Sequence, residues 1–413
     1  MAGIAALATA YILSQFYRSF MAVLTPVLTS ELGATKAELS TASGVWFAVF
    51  ASMQFAVGVS LDRFGPRKTA SIMLAIGGGG GALLFAAASE PWMVIAAMAL
   101  IGFGCSPVLM ASIYIFANAY PPARLSILAS TILGIGMLGN VIGASPLAAA
   151  AEAFGWRTVL TGLAAVTLVV AVAIFALVRD PHIAEENRAT SGFSGYLDLM
   201  RLKALWPILP LVAVNYAAAA SIRGLWAGPY LADVYGATAL AIGNATLFMA
   251  LAMSAGSFIY GPLDNVFGTR KWVAVAGTSI SLSALTFMSF VPQSSFVTTT
   301  WLLVVLGLCG SAYGLLMAHG KAYIPAHLTG RGVTLLNFFS IGGVGATQFA
   351  TGAVVTASSV PSDPVVGYRA LFMFYTALLA AALLIYLFSR DAKPQRGEDG
   401  AGLNVSSRMS KTG

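Results

Sequence analysis

Gly58-Val59-Ser60-Leu61-Asp62-Arg63-Phe64-Gly65-Pro66-Arg67-Lys68 packs one acid, three bases and two glycines into a short turn between two long apolar runs. Much further on, the chain writes a variant: Gly261-Pro262-Leu263-Asp264-Asn265-Val266-Phe267-Gly268-Thr269-Arg270-Lys271. Each copy follows the second apolar run of its half. Two copies of a charged turn at matching places predict a duplicated membrane protein.

The composition agrees. Of 413 residues, 58% are hydrophobic and only 9% charged, far fewer charges than a soluble domain carries. Runs of about 17–25 apolar residues each cross a bilayer as a helix. The short alternating segments of a β-barrel are absent. The net charge of +7 does not point to nucleic acid, because the bases sit in turns between apolar runs. Cys105 and Cys309 lie inside apolar runs, with neither a disulfide framework nor metal-ligand spacing. The first apolar run begins near Met1 and is too long for the core of a signal peptide, so no cleaved leader is expected.

The two charged turns resemble the signatures between helices 2 and 3 and between helices 8 and 9 of the major facilitator superfamily. Phe154-Gly155-Trp156-Arg157 also resembles a short external loop that many members carry. The expected fold is all-α and polytopic, with twelve transmembrane helices as two pseudo-symmetric six-helix bundles. The spans read as roughly 5–27, 41–61, 69–88, 92–118, 126–150 and 158–178, then 206–231, 240–262, 272–291, 298–320, 333–356 and 369–389. This gives an N-terminal bundle over 1–178, a linker over 179–205, a C-terminal bundle over 206–389 and a disordered tail over 390–413. Lys and Arg collect on the side of the charged turns, so both termini are expected in the cytoplasm of a cell with this protein in its inner membrane.

The resemblance implies gating roles for Asp62, Arg63, Arg67 and Lys68, and for Asp264, Arg270 and Lys271. An acid at one helix end pairs with bases beyond the turn and breaks away when that side opens. The alternative is that these charges only set topology. The second copy departs from the pattern, with Asn265 in place of a base and one extra residue before Gly268.

Two arginines stand out. Arg18 falls near the middle of span 1, and Arg223 falls in the middle to outer part of span 7, at corresponding places in the two halves. An arginine at mid-bilayer costs roughly 2.5–3.5 kcal/mol or more, so such residues face a polar cavity. On their helical faces stand Tyr11, Ser14 and Gln15, and Tyr216, Trp226 and Tyr230. The fifteen acids all fall in loops, near helix ends or in the tail, Asp233 being the nearest. Two unpaired guanidinium forks match the oxygens of a carboxylate or phosphate. The placement is similar to that of the superfamily's organophosphate antiporters, which implies a small anionic substrate held between Arg18 and Arg223. The alternative is that both arginines are structural, bonded to carbonyls or packed on tyrosines.

Further candidates for the site are Tyr114, Asn140, Tyr313 and Gln348, with Asn337 beside them. Helix-to-helix hydrogen bonding competes as an explanation for each. His319 and Lys321 read as snorkelling or loop-facing residues at the end of span 10. The glycines of spans 5 and 11 read as close-packing positions.

No cofactor, metal or catalytic constellation is expected, and the protein does not read as an enzyme. The leading expectation is a secondary transporter of a small organic anion, working by alternating access, with a monomer as its unit. An efflux pump for amphipathic compounds is the alternative. A copper importer using Met249 and Met253, or a sensor that binds without transport, is less favoured. No mid-helix carboxylate is available for proton coupling, which favours exchange or facilitated uptake.

Overall fold

A computed structural model describes residues 2–119, 122–180, 194–325, 328–360 and 362–392. The linker core, the tail after Ala392 and the side chain of Asp62 lie outside the described residues.

Every regular element among the described residues is helical. Span 1 is two helices, Ala2–Tyr17 and Met21–Leu32, broken at Arg18-Ser19-Phe20. Span 2 covers Lys36–Leu61, span 3 Arg63–Ala86, span 4 Pro91–Asn118 and span 6 Trp156–Leu177. Span 5 is Pro122–Ile142 followed by Ser145–Phe154 after a 42° bend. Span 7 runs through Leu209–Ser221, a π-helical turn at Ile222–Trp226 and Ala227–Tyr235. Spans 8 to 12 are Ala239–Phe267, Arg270–Phe290, Phe296–Lys321, Arg331–Ser358 and Val365–Tyr386. Nine of these helices are long and apolar enough to cross a membrane unaided, and the bent span 5 makes ten. Spans 1 and 7 complete the set of twelve, each departing from regular α-helix at its arginine.

Local sequence accounts for the ends. Thr35 and Glu38 exchange hydrogen bonds of 3.2 and 2.9 Å in a capping box that starts span 2. The two charged turns reverse direction at matched glycines, Gly65 with φ 81° and Gly268 with φ 67°. Only glycine adopts such backbone without steric cost.

Packing follows the glycine pattern. A methyl group on Gly139 in span 5 would fall on the carbonyl oxygen of Ile12 in span 1, and one on Gly343 in span 11 on that of Ala213 in span 7. Lipid tails are as apolar as leucine, so it is such close backbone approach that holds helices together in a membrane.

The first six spans and the last six meet closely at the end away from the charged turns. Gly228 in span 7 lies against the carbonyl of Ala22 in span 1. Ser145 donates to Asn244 at 2.7 Å, joining spans 5 and 8. Lys36 pairs with Asp233 at 2.6 Å, and Tyr368 donates to the same carboxylate oxygen at 2.6 Å.

Gly228 therefore tests whether this closed arrangement is one of two states. Gly228→Ala puts a methyl on the Ala22 carbonyl, overpacking the contact by about 1–3 kcal/mol. With Cys105 and Cys309 replaced, a cysteine at Ser145 should react faster with an impermeant maleimide in the Gly228→Ala background. Equal labelling rates would mean that this contact does not hold the end shut.

Candidate functional site

A cavity of about 370 Å³ opens between the two sets of spans. Tyr11, Gln15, Arg18, Asn140, Tyr216, Arg223 and Tyr313 all line it. The spacing of Tyr11, Gln15 and Arg18 on span 1 places them on one face. Phe50, Gln54 and Asn337 complete much of the polar and aromatic lining.

Each arginine reaches the cavity from a helix break. The guanidinium of Arg18 lies over the rings of Trp46 and Phe50, 5.4 and 5.3 Å from their centroids. Such stacking offsets part of the loss of water without consuming hydrogen-bond donors. Arg223, only 3% exposed, donates from Nη2 to Asn140 Oδ1 at 2.8 Å. The Nε of each arginine is buried without a hydrogen-bond partner. Arg18 also engages the Tyr216 side chain across the cavity. Among the described residues, no Asp or Glu lines the cavity and none pairs with either arginine. Asp233, the nearest acid expected from the sequence, is engaged by Lys36 and Tyr368 instead. Gln15 donates to the Tyr11 hydroxyl at 2.9 Å, and Tyr313 to Asn337 Oδ1 at 2.9 Å.

Other candidates fall elsewhere. Trp226 is buried and donates to Thr351 at 2.9 Å. Gln348 is fully buried, with Nε2 3.5 Å from the Ser221 carbonyl, between spans 7 and 11. Neither borders the cavity, and Tyr114 in span 4 does not border it. Helical spacing gave their faces but not how each helix is rotated against its neighbours. Met253 lines the cavity, whereas Met249 is buried beside Gly307. A second cavity of about 350 Å³ lies among spans 8, 9 and 10, walled by residues such as Phe267, Trp272 and Ile280, with no charged group. It offers packing surface and no chemistry.

The described contacts of the charged turns lie within each set of six spans. In the first copy, Asp180 after span 6 accepts the backbone N–H of Arg67 at 2.9 Å and fills the space beside Gly65. The Arg67 guanidinium stacks 4.4 Å from the Phe175 centroid; Arg63 lies over Phe64, and Lys68 is exposed. In the second copy Asp264 pairs with Arg270 at 3.0 Å. Asp391 after span 12 accepts the N–H groups of Arg270 and Lys271 at 3.2 and 3.0 Å, and the hydroxyl of Thr269. Lys271 Nζ reaches the carbonyls of Leu387 and Ser389, at 2.7 and 2.9 Å, at the end of span 12. Each closing aspartate thus satisfies free N–H groups at the start of a helix. Asp180 and Asp391 were missed as partners, although Arg179-Asp180 and Arg390-Asp391 repeat the same pair after spans 6 and 12.

His319 corrects the sequence reading. It is fully buried rather than loop-facing, with Nδ1 2.6 Å from the Tyr386 hydroxyl and Nε2 2.9 Å from the Arg390 carbonyl. It ties span 10 to the end of span 12. Lys321, two residues on, is exposed.

The family model described as "Major Facilitator Superfamily" matches residues 7–226 and again 208–410. The chain belongs to the major facilitator superfamily. Among solved structures, it is similar to a bacterial homologue of the human lysosomal transporter Spinster in an inward-facing and occupied conformation. That match has a TM-score of 0.77 and 18% identity, covering 94% of this chain and 96% of the other. The nucleoside transporter NupG aligns with a TM-score of 0.72 and 13% identity, over 94% and 98% of the two chains. A D-xylose-proton symporter gives 0.72 and 12%, also over 94% and 98%. Comparison with curated protein sequences finds none that matches. At these identities the likeness shows the fold alone. Membership of this superfamily, with its two sets of spans flanking one central cavity, points to a transporter.

Asp391 makes the clasp testable by pH. Burial raises its affinity for a proton, but the Thr269 hydroxyl and the N–H groups of Lys271 and Arg270 outweigh this and hold it below the usual carboxyl value of 3.8. Its stabilising contribution is therefore complete above pH 3.8 and is lost as pH falls through the depressed folded value. Asp391→Ala should cost about 0.5–2 kcal/mol at neutral pH, as loss of a helix N-cap does. In thermal unfolding, the gap between variant and wild type should narrow below pH 3.8. A gap that does not change with pH would show that the carboxylate is not what holds the turn.

Proposed function

We propose that this protein is a secondary transporter that carries a small organic anion, a carboxylate or phosphate ester, by alternating access. The observation that supports this most is the pair of arginines, one from each half, Arg223 buried and Arg18 half-buried, facing one cavity with no acid among the described lining residues. An unpaired charge in a low-dielectric interior is costly, and a bound anion relieves both at once. Charge-assisted hydrogen bonds from a guanidinium to an anion each contribute roughly 1.5–3 kcal/mol. Tyr11, Gln15, Tyr216 and Tyr313 supply further hydrogen-bonding groups around the same space.

The arrangement favours exchange or facilitated uptake. Without the anion, two like charges on opposite halves resist closure over the cavity; with it, closure brings them to a shared counter-charge. The bias of Lys and Arg toward the charged turns places those turns, and both termini, in the cytoplasm of a cell with the protein in its inner membrane. One chain lines the cavity, so a monomer suffices, and with its remaining bases gathered near the turns and span ends the protein presents no basic groove suited to nucleic acid. The second reading is export of amphipathic compounds, favoured by the largely apolar wall of the cavity.

Thermal shift of the purified protein separates the two. Carboxylates or phosphate esters should raise the melting temperature of the wild type, since a ligand at 100 times its Kd stabilises by about 2.7 kcal/mol. Arg18→Gln and Arg223→Gln should each lose that response while remaining folded. If only neutral or cationic compounds stabilise, or if both variants respond as wild type does, the anion reading is wrong.

A further inference from the structure

The cavity is not uniformly polar around its two arginines. From Ser106, span 4 turns Leu109, Met110 and Ile113 toward the cavity as it descends to the end bearing the charged turns. Those residues recur at helical spacing, so they form one face. Span 5 mirrors them: going from Asn140 toward the same end, Met137 and Leu133 line the cavity at intervals of three and four residues. Spans 4 and 5 are in contact, and these apolar residues border one cavity together with Phe50 of span 2.

That apolar wall is partly open: Leu109, Met110, Ile113 and Met137 are half-buried, and Phe50 is buried. Leu133 is 41% accessible although it lines the interior. Apolar surface left open in a cavity is unfavourable in proportion to its area. The tyrosines Tyr11, Tyr216 and Tyr313 stand on spans 1, 7 and 10, away from this wall. Apolar lining is thus concentrated on spans 4 and 5, while Met253, Val333 and Ile341 add to it from spans 8 and 11.

Building on the anion reading, we infer that the ligand of this cavity is an amphiphilic anion. Its acidic head bridges Arg18 and Arg223, and its apolar body lies along the wall of spans 4 and 5. A compact hydrophilic anion such as phosphate or acetate satisfies the guanidinium groups and leaves the wall bare. An acid with an alkyl or aryl body satisfies both.

The test is stabilisation by straight-chain carboxylates from acetate to octanoate, measured by thermal shift below their micellar concentrations. Octylamine and octanol serve as controls of equal apolar size. Apparent affinity should rise about three- to fourfold per methylene, the gain expected for burying each one, until the cavity of about 370 Å³ is filled. Ile113→Asn and Leu133→Asn, tested separately in case one fails to fold, should flatten this slope while acetate binding stays as in wild type. Arg18→Gln should abolish the response to every carboxylate.

The same affinity for acetate and octanoate overturns the amphiphile inference and leaves the anion reading standing. Equal stabilisation by octylamine or octanol, or no response to any acid, overturns the anion reading itself and this inference with it.

Discussion

Two positive charges held at mid-membrane constrain the rest of this molecule. Desolvating a guanidinium is costly, and no acid among the described residues shares the cavity to offset it. Partial solutions are built around each. Arg18 lies over two aromatic rings, and Arg223 binds a side-chain amide from span 5. Helix regularity gives way at both: span 1 loses one turn at Arg18-Ser19-Phe20, and span 7 widens to a π-helical turn at Ile222–Trp226. π-turns inside α-helices recur at functional positions, where they re-aim a side chain. The backbones also come close there, since a methyl on Gly224 would lie 3.3 Å from the Arg18 carbonyl oxygen. The halves touch where the charges are concentrated.

The charged turns are further from the cavity and solve a different problem. A helix start leaves N–H groups without partners, and a membrane interface provides water for only some of them. The two halves find the same answer with different residues. Asp180 serves the turn at Gly65, and Asp391 serves the turn at Gly268. The second copy, which departs more from the repeated pattern, also closes an ion pair from Asp264 to Arg270. The extra residue before Gly268 adds to the turn without removing the acid from reach of the base. These bonds join spans 3 and 6, or spans 8, 9 and 12. They stiffen each half more directly than they latch one half to the other.

The fold was legible because its signals are local or repeated. Hydropathy set the spans, the duplicated turn set the symmetry, and an arginine in an apolar run has few ways to survive. The glycines of spans 5 and 11 were readable for the same reason, since close helix packing leaves a one-residue signature. Partners were harder. Trp226 and Gln348 stand in spans that line the cavity, yet they point between helices, because a period of 3.6 residues fixes a face and leaves its rotation to packing. His319 looked like a surface residue near a helix end, until span 12 returned beside it and offered a tyrosine and a backbone carbonyl. Asp180 and Asp391 sat in plain view after spans 6 and 12, but a charge in a linker or a tail reads as solvated unless its repeat is noticed.

If each half is stiffened internally, change in this protein must fall on the surface between halves. Beside the packed face of spans 2 and 11, where Phe55 meets Phe338, that surface has small residues and single polar contacts: Gly228 on Ala22, Ser145 with Asn244, Lys36 with Asp233. An exposed ion pair contributes at most about 1 kcal/mol, so none of these alone holds the halves together. Two packed faces joined by many weak contacts have arrangements of similar free energy, and a ligand shifts such a balance only by its difference in affinity between them. The guanidinium groups are the inter-half feature with a large electrostatic stake. One lies on span 1 and the other on span 7, so whatever bridges them acts on both rigid bodies at once, with the leverage to move the equilibrium that the peripheral contacts lack.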